Sequence, residues 1–316
     1  PAFLFHAGIA LAHPGATRNT RGASHAEAAA LARRRGWQIF GLAFLFRLQA
    51  WVVSGGTFTG SVLKVDILNV MGLAMLAAAV LWGLASTARA KAALLLAGAA
   101  ATAMATPLVR ATPLLDVLPD PVEWYLRPAE GRTAFTLFPW SGFLLAGAAV
   151  GVWLAHAREP GAERRANVVL AVVGSVGAAA AYASSFLPPL YAETDFWTSS
   201  PTFFFVRLGI LVLALPLAYW WNASWKGRSP LQEMGVASLL IYWIHVEMVY
   251  GVLSAPIHRQ LTLEQAIVAF AAFSVVLYAI ARILPRVLPV QVAAILRGVG
   301  LLPSGSRRPW AANGSA

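Results

Sequence analysis

Long apolar segments separated by short polar loops recur along the chain. A helix needs about 20 residues to cross a hydrocarbon core about 30 Å thick. The segments also lack the apolar–polar alternation of a membrane β-barrel. The pattern therefore predicts an all-α, polytopic transmembrane helical bundle with about eight full spans and a truncated N-terminal span. We place the truncated span near residues 2–12 and the full spans near 37–53, 66–84, 92–109, 137–155, 168–187, 203–221, 236–253 and 265–284.

The two ends of the chain differ in character. The chain starts with Pro1 rather than Met, and the residues that follow are already apolar. Because no basic segment of a signal peptide precedes them, we expect an N-terminus that is cut within a span. Residues 1–302 are predicted to form a single transmembrane helical domain. The polar residues 303–316 are predicted to form a disordered cytoplasmic tail.

The composition supports a membrane protein and removes several kinds of chemistry. Of the 316 residues, 59% are hydrophobic and 12% are charged, against about 25% charged residues in a soluble domain. The chain has no Cys, which excludes disulfides, thiolate nucleophiles and Cys-ligated zinc. It also has no Walker A sequence, which argues against an ATP-driven pump.

The net charge of +11 would suggest a nucleic-acid ligand in a soluble protein. Here the basic residues concentrate in alternate loops, namely 13–36, 85–91, 156–167, 222–235 and the tail after 284. The intervening loops, 54–65, 110–136, 188–202 and 254–264, are richer in acids. The positive-inside rule then predicts a multi-pass protein with its C-terminus in the cytoplasm and no nucleic-acid partner. The lack of Cys and of long extracytoplasmic domains favours a bacterial inner (plasma) membrane.

Ionisable residues within spans are costly and indicate function by default. In this chain they fall in the predicted outer half of the membrane, together with two polar companions, Gln49 and Asn69. The ionisable set comprises His6, Arg47, Asp66, Arg207, His245 and Glu247. Asp66 and Asn69 are three residues apart and share a helical face. His245 and Glu247 are two apart, about 200° around a helix, and so face different neighbours.

Each of these residues also has a structural interpretation. Asp66 could begin a helix, and Arg47 or Arg207 could pair with Asp66 or Glu247. His245 could be a neutral contact between helices. No His, Asp or Glu pair within a span has the spacing of metal ligands, so no metal site is predicted.

Two glycines in the span 137–155 leave a similar choice. Gly147 and Gly151 have the spacing that lets two helices approach closely. Ordinary composition in a chain rich in Ala and Gly explains them equally well, so the sequence leaves both interpretations open.

Three segments carry a family resemblance. The opening PAFLFHAGIAL, the segment LKVDILNVMGLAML at 63–76 and the segment SLLIYWIHVEMVYG at 238–251 resemble the heparan-α-glucosaminide N-acetyltransferase catalytic-domain family of membrane acyltransferases. The resemblance implies transfer of an acetyl or acyl group from cytoplasmic acetyl-CoA, without a metal, to an extracytoplasmic sugar-type acceptor. The implied partners are the lipid bilayer, acyl-CoA and a saccharide or glycolipid acceptor. A homodimer is left open.

The resemblance also implies roles for the intramembrane residues. Members of the family carry an additional helix and an outer loop with the His assigned to catalysis. Both would precede Pro1, so we expect enzymatic activity of the full-length form and no catalytic-His loop in this chain. His245 and Asp66 are then candidates for catalysis. Asn69 and Glu247 are candidates for substrate binding, and Arg47 and Arg207 for binding the anionic groups of the cofactor. Without Cys, transfer is direct or passes through an acyl-His.

A transporter or flippase is the alternative. It would move a polar or lipid-linked substrate through the same polar region, and it accounts for the intramembrane charges equally well. Transporters often contain inverted repeats, but the halves 37–155 and 168–284 share no repeated motif. A purely structural membrane protein leaves the intramembrane charges unexplained.

Overall fold

The computed structural model describes residues 1–19, 25–53, 62–157, 160–192, 194–225, 229–250, 252–257, 260–287, 294 and 296–298. Helices dominate these residues, and a parallel bridge joins Val65 to Thr133. The helices, in chain order, are α1 (Ala2–Asn19), α2 (His25–Val53), α3 (Ile67–Gly83), α4 (Ala88–Ala111), α5 (Asp120–Glu123), α6 (Leu137–Leu154), α7 (Pro160–Ser184), α8 (Pro201–Ser224), α9 (Pro230–Val236), α10 (Ser238–Tyr250) and α11 (Leu263–Val287). Short 3₁₀ turns occupy Pro113–Val117 and Val252–Ile257.

The predicted all-α membrane architecture is confirmed. Six helices in the described residues are long and apolar enough to cross a bilayer, namely those at Ala26–Val53, Ala88–Ala111, Leu137–Leu154, Gly161–Ser184, Pro201–Ser224 and Leu263–Leu284. The spans predicted at 66–84 and 236–253 coincide with shorter apolar helices, Ile67–Gly83 and Ser238–Val249. The count of eight full spans therefore stays a prediction.

Several helix boundaries differ from those of the predicted spans, among them the start of α2 and the segment predicted at 236–253. Helix α2 begins at His25 rather than at residue 37, because the Ala-rich and Arg-rich residues before the apolar run are themselves good helix formers. The segment predicted as one span at 236–253 is divided between α9, which ends at Val236, and α10, which begins at Ser238. Hydropathy detects the apolar part of a helix and not the hydrogen-bonded helix itself.

The chain divides into two compact units. The first comprises Pro1–Arg47 and Gly60–Ala223, and the second comprises Leu48–Thr59 and Ser224–Ala316. The predicted tail at 303–316 lies outside the described residues, and the single domain at 1–302 stays a prediction.

Helix α6 lies at the centre of the first unit and packs against α1, α3 and α4. Its sequence is apolar on all sides, as expected of a helix surrounded by other helices. Phe143 and Leu144 are fully buried in it. Helix α6 also carries no charged residue, which suits a helix that has protein on all sides.

Two glycines of α6 let α1 approach closely, so the close-approach interpretation of their spacing is the one that the structure shows. A Cβ on Gly147 would overlap the carbonyl oxygen of Phe5, and a Cβ on Gly151 would lie 2.8 Å from the carbonyl oxygen of Ile9. Helices in a membrane gain little from the hydrophobic effect and associate through such close van der Waals contact. The two glycines therefore set the distance between α1 and α6.

The second unit is held together by polar and apolar contacts among α9, α10, α11 and the end of α2. Leu240 is buried against Ile244, Leu284 and Leu296. The indole nitrogen of Trp243 donates a hydrogen bond to Gln49 Oε1 at 2.5 Å.

An ion pair closes the contact between α9 and α11 in this unit. The Arg282 Nε lies 3.3 Å from Glu233 Oε2, and the Tyr278 hydroxyl donates to the same oxygen at 3.0 Å. Because a paired charge is tolerated in a span where a lone one is costly, these side chains have a structural role.

Replacing Gly147 with Ala should destabilise the protein, because the added methyl group collides with the backbone of α1. We expect a loss of about 1–3 kcal/mol, typical of overpacking. Gly41→Ala on α2 is the matched control, since a Cβ there meets no atom within 4 Å. The measurement is thermal unfolding of the detergent-purified protein. Equal midpoints for the two variants would contradict close packing at Gly147.

Candidate functional site

Asp66 forms the N-cap of helix α3. Its backbone is extended, with φ −120° and ψ 174°, and its Oδ1 accepts a hydrogen bond from Ile67 N at 2.7 Å. Asn69 reciprocates, because its Oδ1 accepts from Asp66 N at 3.0 Å. The spacing of three residues that places both on one face thus builds a capping box. Both residues are buried, so the cap satisfies backbone donors that water cannot reach.

The second carboxylate oxygen of Asp66 pairs with Arg47. The Arg47 Nη2 lies 2.9 Å from Asp66 Oδ2, and the two side chains are 15% and 8% exposed. The structural pairing left open by the sequence is therefore present. The Arg47 Nε is buried and has no hydrogen-bond partner among the described residues. One guanidinium donor thus remains available at this site.

Tyr125 joins the pair through Asn69. The Asn69 Nδ2 donates to the Tyr125 hydroxyl at 3.3 Å, and the Tyr125 ring lies against Phe40, with 6.4 Å between ring centroids. Burial raises the pKa of the Tyr125 phenol, partly offset by the hydrogen bond from Asn69. The phenol therefore stays protonated near neutral pH and can donate a hydrogen bond.

The loop that carries Tyr125 is fixed to the start of α3 by its backbone. Val65 N donates to Arg132 O at 2.9 Å, and Ala134 N donates to Val65 O at 3.0 Å. Within the loop, Arg127 pairs with Asp116 and Glu123. The hydrogen bond from Arg127 to Asp116 is the main reason why the pKa of Arg127 is raised. Loop 112–136 is therefore an ordered cover beside the buried cap.

Lys64 adds a second positive charge next to this cap. Burial, followed by the nearby charge of Arg47, lowers the pKa of Lys64, while Asp66 raises it in part. Two cations, Arg47 and Lys64, thus surround one carboxylate, Asp66. An arrangement with excess positive charge and a spare guanidinium donor favours a ligand or a transition state that carries negative charge.

Arg207 belongs to the first unit, but its partners differ from those of Arg47. Its guanidinium carbon lies 3.9 Å from the centroid of the Phe203 ring, a cation–π geometry. Among the described residues, no carboxylate lies within ion-pair distance of Arg207. Its predicted structural pairing with Asp66 or Glu247 is therefore not found in that part of the chain, and its charge remains available to an anion.

His245 and Glu247 belong to the second unit, on α10. The His245 Nδ1 lies 3.3 Å from Ile241 O, and the imidazole ring meets Tyr242 edge-on, with 5.4 Å between ring centroids. Because a carbonyl only accepts hydrogen bonds, Nδ1 is the donor in this contact, and Nε2 is the ring nitrogen not engaged by it. Glu247 is half-buried. The catalytic and binding roles predicted for these two residues stay predictions.

The described residues contain no group of three or more His, Asp or Glu side chains arranged to hold a metal ion. The polar cluster of the first unit consists of Arg47, Asp66, Asn69 and Tyr125, which we call the capping cluster. Its hydrogen bonds suit orientation and charge stabilisation more than metal binding, because the Asp66 oxygens are already engaged by Ile67 N and Arg47.

Comparison with known families gives one match. The sequence profile described as heparan-alpha-glucosaminide N-acetyltransferase, catalytic, matches residues 1–183. The chain belongs to this family. Membership in the heparan-α-glucosaminide N-acetyltransferase family identifies a multi-pass membrane protein of the acyltransferase type. No curated protein and no solved structure matches the chain.

The match divides the predicted site residues of this family member into two groups. Residues 1–183 contain the whole capping cluster and two of the three segments that carry the resemblance. Arg207, His245 and Glu247 lie beyond the match. The segment 238–251, which also resembles the family, falls outside it as well.

Sequence reasoning found three members of the capping cluster and missed Tyr125. Arg47, Asp66 and Asn69 are conspicuous because they are polar residues within apolar spans. Tyr125 is an aromatic residue in a polar loop, and nothing in its local sequence sets it apart. Its position in the longest loop of the acidic set was the available signal, since a long ordered loop is a common place for functional side chains.

A double-mutant cycle can separate the contribution of the Arg47–Asp66 ion pair to stability from the contribution of the helix cap. Asp66→Asn keeps a good N-cap residue but leaves Arg47 without its counter-charge. We expect Asp66→Asn to lose about 1–3 kcal/mol of stability, as when a partner of a charged hydrogen bond is removed. Arg47→Met in the same protein should restore most of the loss. The readout is unfolding in detergent, and a neutral Asp66→Asn would contradict the pairing.

The buried phenol predicts a pH dependence. Because the pKa of Tyr125 is raised on folding, the folded protein holds this proton more tightly than the unfolded chain. The stabilisation is complete below about pH 10, the pKa of an unfolded Tyr, and is lost as the pH rises above it. The unfolding midpoint of the wild type should therefore fall more steeply above this pH than that of Tyr125→Phe. Parallel curves for the two proteins would show that Tyr125 does not contribute.

Proposed function

We propose that this family member transfers an acetyl group from cytoplasmic acetyl-CoA to a sugar-type acceptor on the opposite side of the membrane. The observation that carries the proposal is the location of the buried capping cluster within residues 1–183, the part that matches the family profile. A membrane acyltransferase must hold a developing negative charge in a medium that provides no water, and Lys64 beside the cluster adds a positive charge to the Arg47–Asp66 pair for that purpose.

Acyl transfer passes through a tetrahedral intermediate with a negatively charged oxygen. The free Nε of Arg47 and the protonated Tyr125 hydroxyl are hydrogen-bond donors that suit this oxygen. Asp66 holds the guanidinium of Arg47 in place with its second oxygen. Since both carboxylate oxygens are engaged, Asp66 serves as a positioning residue in this proposal and not as a base. Asn69 orients the Tyr125 hydroxyl in the same way.

The acceptor must lose a proton when it attacks the acetyl group, and we assign this step to His245. As the C–S bond of acetyl-CoA breaks, the same proton passes to the sulfur, and coenzyme A leaves as its thiol. In a neutral imidazole whose Nδ1 donates to Ile241 O, Nε2 is the nitrogen that can accept a proton. A His serves as a base near neutral pH. Glu247, on a different face of α10, is proposed to bind the acceptor.

Arg207 is the better of the two arginines for binding the anionic coenzyme. Arg47 is already neutralised by Asp66, whereas the Arg207 guanidinium lies on Phe203 with no carboxylate at ion-pair distance in the described chain. A guanidinium binds phosphate through two parallel hydrogen bonds. The loop charges support a C-terminus in the cytoplasm, and the membrane is proposed to be a bacterial inner (plasma) membrane.

Binding of acetyl-CoA to the membrane-reconstituted protein, measured by calorimetry, tests the proposal. We expect micromolar affinity, weakened about tenfold in Arg207→Ala because a charge-assisted bond to phosphate is lost. Arg207→Lys should give an intermediate loss, since Lys keeps the charge but not the planar fork. Arg164→Ala, at an exposed position of α7, removes the same charge elsewhere and should bind normally.

If the protein does not bind acetyl-CoA, the acyltransferase proposal is wrong and a transporter or flippase becomes the leading explanation. Where binding is found, the acetyl-transfer rate should follow the titration of a His in the wild type. That dependence should vanish in His245→Ala, which a merely structural His245 would not produce.

A further inference from the structure

A cavity of about 760 Å³ lies in the first unit at the C-terminal end of α7 and the N-terminal end of α8. Gly177 and Ala181 of α7 line one side, Thr202 and Phe205 of α8 line another, and Met104 contributes from α4. The volume falls within the range of sites that enclose a small organic molecule. The capping cluster does not line this cavity, and the proposed acetyl transfer does not use it.

The depth of the cavity is set by a close crossing of α7 and α8. A Cβ on Gly174 would lie 2.7 Å from Leu213 N, and a Cβ on Gly209 would lie 2.6 Å from Ala178 N. One turn further along α7, a Cβ on Gly177 would meet no atom within 4 Å. The two helices therefore touch at Gly174 and at Ala178, while Gly177 lies on a side of α7 that faces open space. From Gly177 to Ser184 the cavity extends about 10 Å along α7, at 1.5 Å per residue.

The segment between α7 and α8 is fixed in place beside this cavity. The Tyr191 hydroxyl donates to Met104 O at 2.8 Å, and Arg110 Nη1 donates to Thr198 Oγ1 at 3.1 Å. Thr198 N also donates to Asp195 Oδ1 at 2.8 Å and closes a turn. Two side-chain bonds thus tie the segment to α4, so the cavity is preformed.

The lining is uncharged and presents acceptors at its rim. None of the described residues that line the cavity is charged. The hydroxyls of Ser184 and Ser185 donate to Ala181 O and Tyr182 O, and the Tyr191 hydroxyl donates to Met104 O. Their oxygens therefore face a ligand mainly as acceptors. Such a lining repels ions, because a charge placed there would find no counter-charge.

The segment beside the cavity exposes large apolar side chains. Phe186 is 76% exposed, Leu187 is 66% exposed and Leu190 is 75% exposed. Exposed apolar surface of this kind in one segment marks a contact with a membrane or a partner. The segment continues the lipid-facing surface of α7, where Val172, Val173 and Val176 are all more than half exposed. The cavity mouth is therefore continuous with the surface that α7 presents to the bilayer.

We propose that the cavity between α7 and α8 binds the alkyl chain of a lipid from the adjoining membrane leaflet. The apolar floor formed by Gly177, Ala181 and Phe205 accommodates the chain. The hydroxyl oxygens of Ser184 and Ser185 accept hydrogen bonds from a hydroxyl of the lipid near the membrane surface. By the predicted orientation, this leaflet is the outer one.

Photocrosslinking in vesicles tests the site. The whole chain is reconstituted with phosphatidylglycerol that carries a diazirine in one acyl chain, irradiated and digested, and labelled peptides are identified by mass spectrometry. We expect labels on cavity-lining residues, above all Ala181 and Phe205. Gly177→Phe, whose side chain enters open space, should reduce this labelling about tenfold by occupying the cavity.

Val176→Phe is the matched control, because it adds the same ring to the next residue of α7 on the lipid-exposed surface. It should leave the cavity labels unchanged. Helix content and the unfolding midpoint establish that both variants fold. If Gly177→Phe fails to fold, Ala181→Leu, a smaller filling of the same cavity, takes its place.

Two results would overturn the proposal. The first is labelling confined to the exposed residues of α7 and equal in both variants, which would mean that lipid surrounds the helix without entering the cavity. The second is protection of the cavity from labelling by maltose but not by unlabelled phosphatidylglycerol, which would identify a carbohydrate site. Protection by the unlabelled lipid alone, lost in Gly177→Phe, supports the alkyl-chain site.

Discussion

Hydrocarbon provides no hydrogen bonds, so each polar group of a membrane span must find its partner inside the protein. The pair of Arg47 and Asp66 meets this constraint at the start of α3. One Asp66 oxygen caps the helix and the other neutralises the guanidinium. Val65, the residue before the cap, also forms backbone hydrogen bonds with the loop that carries Tyr125. The contacts of Val65 and Asp66 therefore hold a helix end, a cation and a loop together.

Close backbone contact replaces the hydrophobic effect as the source of packing between the helices. Gly147 and Gly151 bring α1 against α6, and Gly174 and Gly209 bring α7 against α8. These close glycine contacts have different consequences in the two helix pairs. At α6 the contact extends over successive turns and produces a solid core, whereas at α7 the contacts at Gly174 and Ala178 lie beside a cavity lined by Gly177 and Ala181.

Family membership and geometry together narrow the chemistry. The profile match includes the capping cluster, whose geometry favours holding negative charge over proton transfer. Proton transfer then falls to a residue such as His245, which lies in the second unit and outside the match.

The sequence by itself determined the helical membrane class, the approximate position of each apolar helix and which polar residues lie within apolar spans, because hydropathy and charge are local properties. It also indicated the family through segments that keep their order along the chain. Only the tertiary structure decided that Asp66 pairs with Arg47 and that Tyr125 contacts Asn69. It also decided that Arg207 packs on the Phe203 ring, with no carboxylate at ion-pair distance among the described residues. These contacts join residues far apart in sequence or depend on side-chain direction, and the packing of the helices sets both.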